Sequence, residues 1–252
     1  MNESISILLP ESHPPVQKRI GSSRIWFEFK CFLVDRIKSA ALANLQKSKW
    51  GEILILKHYL RAEELAASNG SFSLDEILKN APEWLCKELR IHEKEEAGHV
   101  RIFETRIQHI SPSNLEIPLY LFSNRKIETF HSLILKFENR FTSGAVVPAL
   151  VVALTLENMG VRIFKRHLKV LKRIDGESPT GSLLRTIIRD EKRHVRGFLK
   201  FLRRLVKPSE FRDYVKLRKE ALALDHKGGL ISAIAMFVLS ILPIRFLFVR
   251  KH

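Results

Sequence analysis

Apolar residues recur at steps of three and four along most of this chain, the spacing of helices that bury one face. From Ser23 to Leu45 the positions Ile25, Trp26, Phe29, Leu33, Ile37 and Ala41 form such a stripe, with Arg24, Lys30, Arg36 and Lys38 between them. A basic amphipathic helix is expected there, packed on the core, with membrane-interface contact as the competing use. A second helix, about Ser48 to Ser68, carries Ile53, Leu56, Leu60, Glu63 and Ala67 on one stripe and ends at Asn69-Gly70. A short segment from Leu74 to Lys79 leads to Pro82, which opens a helix reaching about Ile110. Its stripe reads Leu85, Leu89, His92, Glu96, His99, Phe103 and Ile107 before Ser111-Pro112 stops it. Helical spacing returns from Ile127 to Phe141 and again from Gly144 to Leu171, where Val147, Leu150, Leu154, Glu157, Val161 and Phe164 align. After a turn cluster from Asp175 to Gly181, with Ser182 as the expected cap, a further helix runs to about Val206 on Leu184, Ile187, Glu191, His194, Phe198 and Leu202. A short helix from Glu210 to Leu222 and an uncharged apolar run from Leu230 to Ile244 follow.

Ionisable residues interrupt four of these stripes. Burying a lone carboxylate costs several kcal/mol, so such residues need hydrogen-bonded partners or a metal. Glu96-x-x-His99 and Glu191-x-x-His194 each place a carboxylate and an imidazole on one helical face. Each unit has a glutamate about one hairpin upstream: Glu63 precedes Glu96 by 33 positions and Glu157 precedes Glu191 by 34. Glu64 competes with Glu63, but Lys57 and Arg61 behind it mark a face turned to water. Four carboxylates and two imidazoles suit two iron or manganese ions, whereas structural zinc favours cysteine.

Composition narrows the class. The chain has 252 residues, 45% hydrophobic and 28% charged, enough for a full core. Cys31 and Cys86 form no Cys-x-x-Cys pair, which excludes zinc-ribbon, iron–sulfur and rubredoxin-type iron sites and makes a reducing, cytoplasmic setting the default. A net charge of +16 implies an anionic partner: a membrane surface, tRNA or an acidic carrier protein. Residues 1–22, with Pro10, Pro14 and Pro15 and no signal-peptide pattern, read as a flexible arm. Residues 23–206 read as the bundle with its preceding helix, and 207–252 as a helical extension with an apolar tail. The 15 residues from Leu230 to Ile244 fall short of the roughly 20 a span needs, although a snorkelling Arg245 extends the run to Val249. Membrane association through this tail competes with a buried terminal helix or an oligomer contact, including a homodimer.

At the doubled motif, over roughly residues 48–206, the chain resembles the ferritin-like non-haem di-iron carboxylate superfamily. Rubrerythrins, acyl-carrier-protein desaturases, demethoxyubiquinone hydroxylases and the tRNA hydroxylases acting on modified adenosine belong to it. The resemblance implies an all-α protein: a ferritin-like four-helix bundle with extra N- and C-terminal helices, holding two iron ions, or manganese, or a mixed Mn/Fe pair. Glu63 and Glu157 would be the single-glutamate ligands, Glu96 and Glu191 the bridging ones, and His99 and His194 the terminal nitrogens. Asp190 fits the Asp-Glu-x-x-His form in which the aspartate orients a ligand histidine from behind; Glu95 holds the equivalent place, and Tyr59 also stands behind the ligands. His92 is open between a seventh ligand, a donor behind the ligands and a hydrogen-bonded core histidine. Ile187 stands where amine N-oxygenases carry a third histidine, which argues against that branch. Without a rubredoxin segment, electrons would come from an external donor. The implied activity is dioxygen-activating oxidation or hydroxylation, and the basic surface and apolar tail point it toward a lipid, fatty-acyl or quinone-like substrate. The alternatives are iron or peroxide handling without substrate oxidation, and tRNA modification.

Overall fold

The computed structural model describes residues 22–67, 79, 81–111, 115–116, 120–174, 176–227, 229–242 and 249–250. The protein is all-α. Its helices are α1 (Ser22–Leu45), α2 (Lys49–Ala67), α3 (Glu83–Ile110), α4 (Tyr120–Phe137), α5 (Val146–Ile174), α6 (Pro179–Leu205), α7 (Phe211–His226) and α8 (Gly229–Ile241). A two-residue antiparallel bridge, Leu115–Glu116 with Val249–Arg250, is the one extended pairing among the described residues. The expected arm and the segment after Asn69 lie outside the described residues, apart from Ser22 and Lys79.

Local chemistry sets the helix starts. Ser48 Oγ accepts from Gly51 N–H at 3.1 Å and caps α2. A Cβ on Gly51 would lie 2.0 Å from the Leu45 carbonyl oxygen, so only glycine lets α2 begin against the end of α1. The cap of α6 is Ser178, not Ser182 as expected. Ser178 Oγ accepts from Gly181 N–H at 3.0 Å and Pro179 holds the first helical position, where its missing N–H is no loss.

Polar ties fix how the helices run. Arg106 near the end of α3 donates to Glu52 near the start of α2 at 2.8 Å and to Thr180 at the start of α6 at 2.9 Å, and Thr180 also donates to Glu52. Helix α3 is therefore antiparallel to both α2 and α6. Leu168 and Leu171 of α5 approach Gly181 of α6, so α5 and α6 form a second antiparallel hairpin. Gln46, just before α2, and Tyr59 on α2 reach His167 on α5 and join the hairpins on the other side. The four helices thus run up, down, down, up, which requires the long connection that α4 occupies. Helix α4 buries Phe130, Leu133 and Ile134 on the side of the α5–α6 hairpin that α7 also covers with Tyr214 and Leu217.

Two apolar layers fill the four helices. One gathers Leu85, Leu89, Leu150, Leu154, Phe198 and Leu202; the other gathers Ile53, Leu56, Phe103, Phe164, Leu184 and Ile187. The interrupted stripes place their ionisable residues between these layers.

Helix α1 departs from expectation. Its last turns bury Ala41, Leu42 and Leu45, but Ile25, Trp26, Phe29 and Leu33 face out. Among the described residues two helical segments, Val146–Ile174 and Pro208–Ile241, are long and apolar enough to cross a membrane; the apolar 18-residue window of the first is 56% buried inside the protein and that of the second 6%.

Candidate metal centre

Glu63, Glu96, His99, Glu157, Glu191 and His194 come together between the apolar layers, none of them more than 8% exposed. They fall into two sets, Glu63, Glu96, His99 and Glu191, and His92, Glu96, Glu157 and His194; within each, one donor atom per residue lies within 4.8 Å of all the others. Glu96 belongs to both. Glu191 also meets Glu157, so it too lies between the sets. The backbone makes room for it: a Cβ on Gly160 of α5 would stand 3.1 Å from Glu191 Oε2.

The same nitrogen of each motif histidine faces inward. His99 Nδ1 lies 3.5 Å from Glu63, 3.4 Å from Glu96 and 3.5 Å from Glu191. His194 Nδ1 lies 2.9 Å from Glu96 and 3.4 Å from Glu157. These contacts are close but misaligned for hydrogen bonds: His99 Nδ1, His194 Nδ1, Glu96 Oε1 and Glu157 Oε2 are buried without a hydrogen-bond partner. Orphaned buried polar atoms are costly and rare. Four of them aimed at a common space are what a metal cluster would satisfy, and mixed imidazole and carboxylate donors fit iron or manganese.

An acid stands behind the outer nitrogen of each histidine. His194 Nε2 donates to Glu95 Oε2 at 2.8 Å, and Asp190 Oδ2 lies 3.7 Å from His99 Nε2. Each motif's preceding acid thus serves the histidine of the other motif, and Arg193 joins the two acids by donating to Glu95 at 2.8 Å and to Asp190 at 3.1 Å. A donor role at Nε2 leaves the Nδ1 lone pair for an ion.

Burial and mutual contact shift the cluster's proton affinities in opposite directions. Burial pushes Glu63 up to about 8, and burial together with the neighbouring Glu157 raises Glu191 well above the usual carboxylate range. Glu96 and Glu157 resist the same burial because histidines surround them: Glu96 is held far below its ordinary value by His194 and His99, and Glu157 down to about 2 by His194 and His92. Burial also opposes charging of His99 and His194, but the carboxylates around each outweigh it and raise both to about 10. The raised carboxyls and imidazoles favour their protonated forms, so cations entering the site would displace protons.

Glu64 stays outside, its side chain 39% exposed and paired with Arg61 at 3.3 Å. His92 is half-buried, donates to Glu157 at 2.9 Å and stacks edge-on against His194 at 4.4 Å, so it stands at the cluster rather than in the apolar core. Tyr59 lies between Phe103 and Phe164 and turns its hydroxyl to His167 Nδ1 at 3.3 Å. Burial pushes that phenol above its ordinary range and pushes His167 down to about 3. Sequence spacing did not flag His167, although it lies three positions past Phe164 on the same stripe. The Glu52–Arg106–Thr180 knot was equally hidden, because its three members are distant in sequence.

No family model, curated protein or solved structure matches this chain.

Proposed function

We propose that this is a ferritin-like di-iron protein, with manganese or a mixed pair as the other metal choices, and that it works as a dioxygen-activating oxidase or hydroxylase. The observation that carries the reading is the pair of donor sets sharing Glu96, with four buried atoms lacking a hydrogen-bond partner. Glu96 and Glu191, in the middle, would bridge; Glu63 with His99 and Glu157 with His194 would complete the two sites, and His92 would flank the second. Bound iron supplies the electron transfer that dioxygen reduction needs. The chain holds Nε2–H of His194 on Glu95 so that Nδ1 stays inward, excludes bulk water with apolar layers above and below, and releases protons from Glu63, Glu191 and the imidazoles as the ions enter. Electrons would come from an external donor protein. The +16 charge and the apolar tail support a lipid, fatty-acyl or quinone-like substrate met at a membrane surface. The same charge favours tRNA as a second reading.

The test starts from protein expressed with iron and purified gently. Elemental analysis should give about two iron or manganese ions per chain, Glu63→Ala should lose most of that metal, and Glu64→Ala should keep it. Metal-free protein under these conditions would sink the reading. Oxygen uptake with a reductant then separates the classes: stimulation by an acyl or quinone compound supports the hydroxylase, stimulation by tRNA the second reading, and substrate-independent peroxide consumption an iron- or peroxide-handling role.

A further inference from the structure

Eleven of the fifteen large apolar side chains exposed among the described residues lie on α1 and on α8 with the residue after it. On α1 the exposed residues are Ile25, Trp26, Phe29, Phe32 and Leu33, one stripe in steps of three and four. On α8 they include Ile231, Ile234, Val238 and Ile241, at the same spacing. The two helices pack against each other, with Ala233 and Ser240 of α8 buried. They run the same way, since Phe27 meets His226 just before α8 and Met236 packs on the core layer that contains Leu42. Two apolar stripes on adjoining parallel helices are too much exposed area for an ordinary soluble surface.

We infer that α1 and α8 together form the face by which the protein lies on an anionic bilayer, embedded in one leaflet and not crossing it. This deepens the membrane side of the proposed function but can fail while the metal reading stands. Three observations favour lipid over another occupant. Exposed Lys30 and Arg36 on α1 and Lys227 before α8 accompany the apolar side chains, within a chain of net charge +16. Trp26 stacks on Phe29 with ring centroids 5.9 Å apart, and tryptophan favours the headgroup boundary. The apolar helix is also short. The long apolar segment from Pro208 is broken at Lys227, whose backbone is extended and ends α7, so α8 alone offers 13 residues, roughly 20 Å against a hydrocarbon core of about 30 Å. A helix of that length beside a basic amphipathic partner lies in the interface plane.

The full chain would be floated with phosphatidylcholine vesicles, with and without phosphatidylglycerol, at low and high salt. Binding should be strengthened by the anionic lipid, and that gain should weaken with salt while the apolar part of the binding stays, because apolar insertion is not screened. The double variant Trp26→Asp/Ile231→Asp puts one acid in each exposed stripe, near the start of α1 and in the first turn of α8, where the helix dipole tolerates it. It should lower partition at least tenfold while melting temperature and metal content stay unchanged. Trp26 fluorescence, assigned with Trp26→Phe, should shift to the blue on binding. Wild-type protein that stays in solution, or a double variant that floats equally well, overturns the inference. So does a wild-type dimer that the double variant converts to monomer, since a second copy would then cover the face.

Discussion

Replacing Glu95 by glutamine leaves the shape of the side chain and removes the charge that His194 Nε2 donates to at 2.8 Å. Despite partial burial, hydrogen bonds from His194 and Arg193 hold the Glu95 carboxyl below its ordinary range, so the charged form is the one bound. A hydrogen bond to a charged group contributes about 1.5–3 kcal/mol, and the 34% exposure of the Glu95 side chain puts this one at the low end. At about 1.4 kcal/mol per factor of ten, Glu95→Gln should weaken metal binding about tenfold, the lower edge of what groups behind a ligand histidine usually contribute. Asp190→Asn should cost much less, about twofold, because 3.7 Å to His99 Nε2 exceeds a hydrogen bond and Asp190 is already shared with Arg193. Anaerobic titration of ferrous or manganous ion against a chromophoric chelator measures both affinities, and matched melting curves show that the fold is retained. If Asp190→Asn weakens binding as much as Glu95→Gln, or neither changes it, the division of labour drawn from these distances is wrong.

Gly160→Ala should separate fold from site. Alanine favours a helix interior over glycine by about 0.8–1 kcal/mol, so the metal-free protein should melt no earlier, while a Cβ 3.1 Å from Glu191 Oε2 displaces that carboxylate and lowers metal content. Unchanged metal stoichiometry in elemental analysis would show that Glu191 does not depend on that space. His167 should make stability pH-dependent. Its folded value of about 3 lies below the ordinary 6.5, so the unfolded chain binds a proton that the folded one refuses. The contribution is whole above pH 6.5 and falls by about 1.4 kcal/mol per unit as pH drops toward 3. Urea unfolding of metal-free protein at pH 7 and pH 5 should show this slope, and His167→Gln should reduce it; equal slopes would place the titration elsewhere.

The helices were legible in the chain because burial on one side imposes a period of three and four, and the site residues were legible because charges inside such a stripe violate it. Glu63, Glu96, His99, Glu157, Glu191 and His194 all sit at stripe positions, and Glu63 was separable from Glu64 because Lys57 and Arg61 mark the wet side. Periodicity describes one helix at a time, however, and says nothing about what stands opposite. Only packing decided that Glu95 holds His194 while Asp190 lies behind His99, that His92 joins the cluster, and that His167 meets Tyr59 and Gln46. The same limit explains α1: an apolar stripe shows that a face avoids water, but what covers it depends on neighbours, and here α8 lies alongside α1 and leaves both outer faces bare.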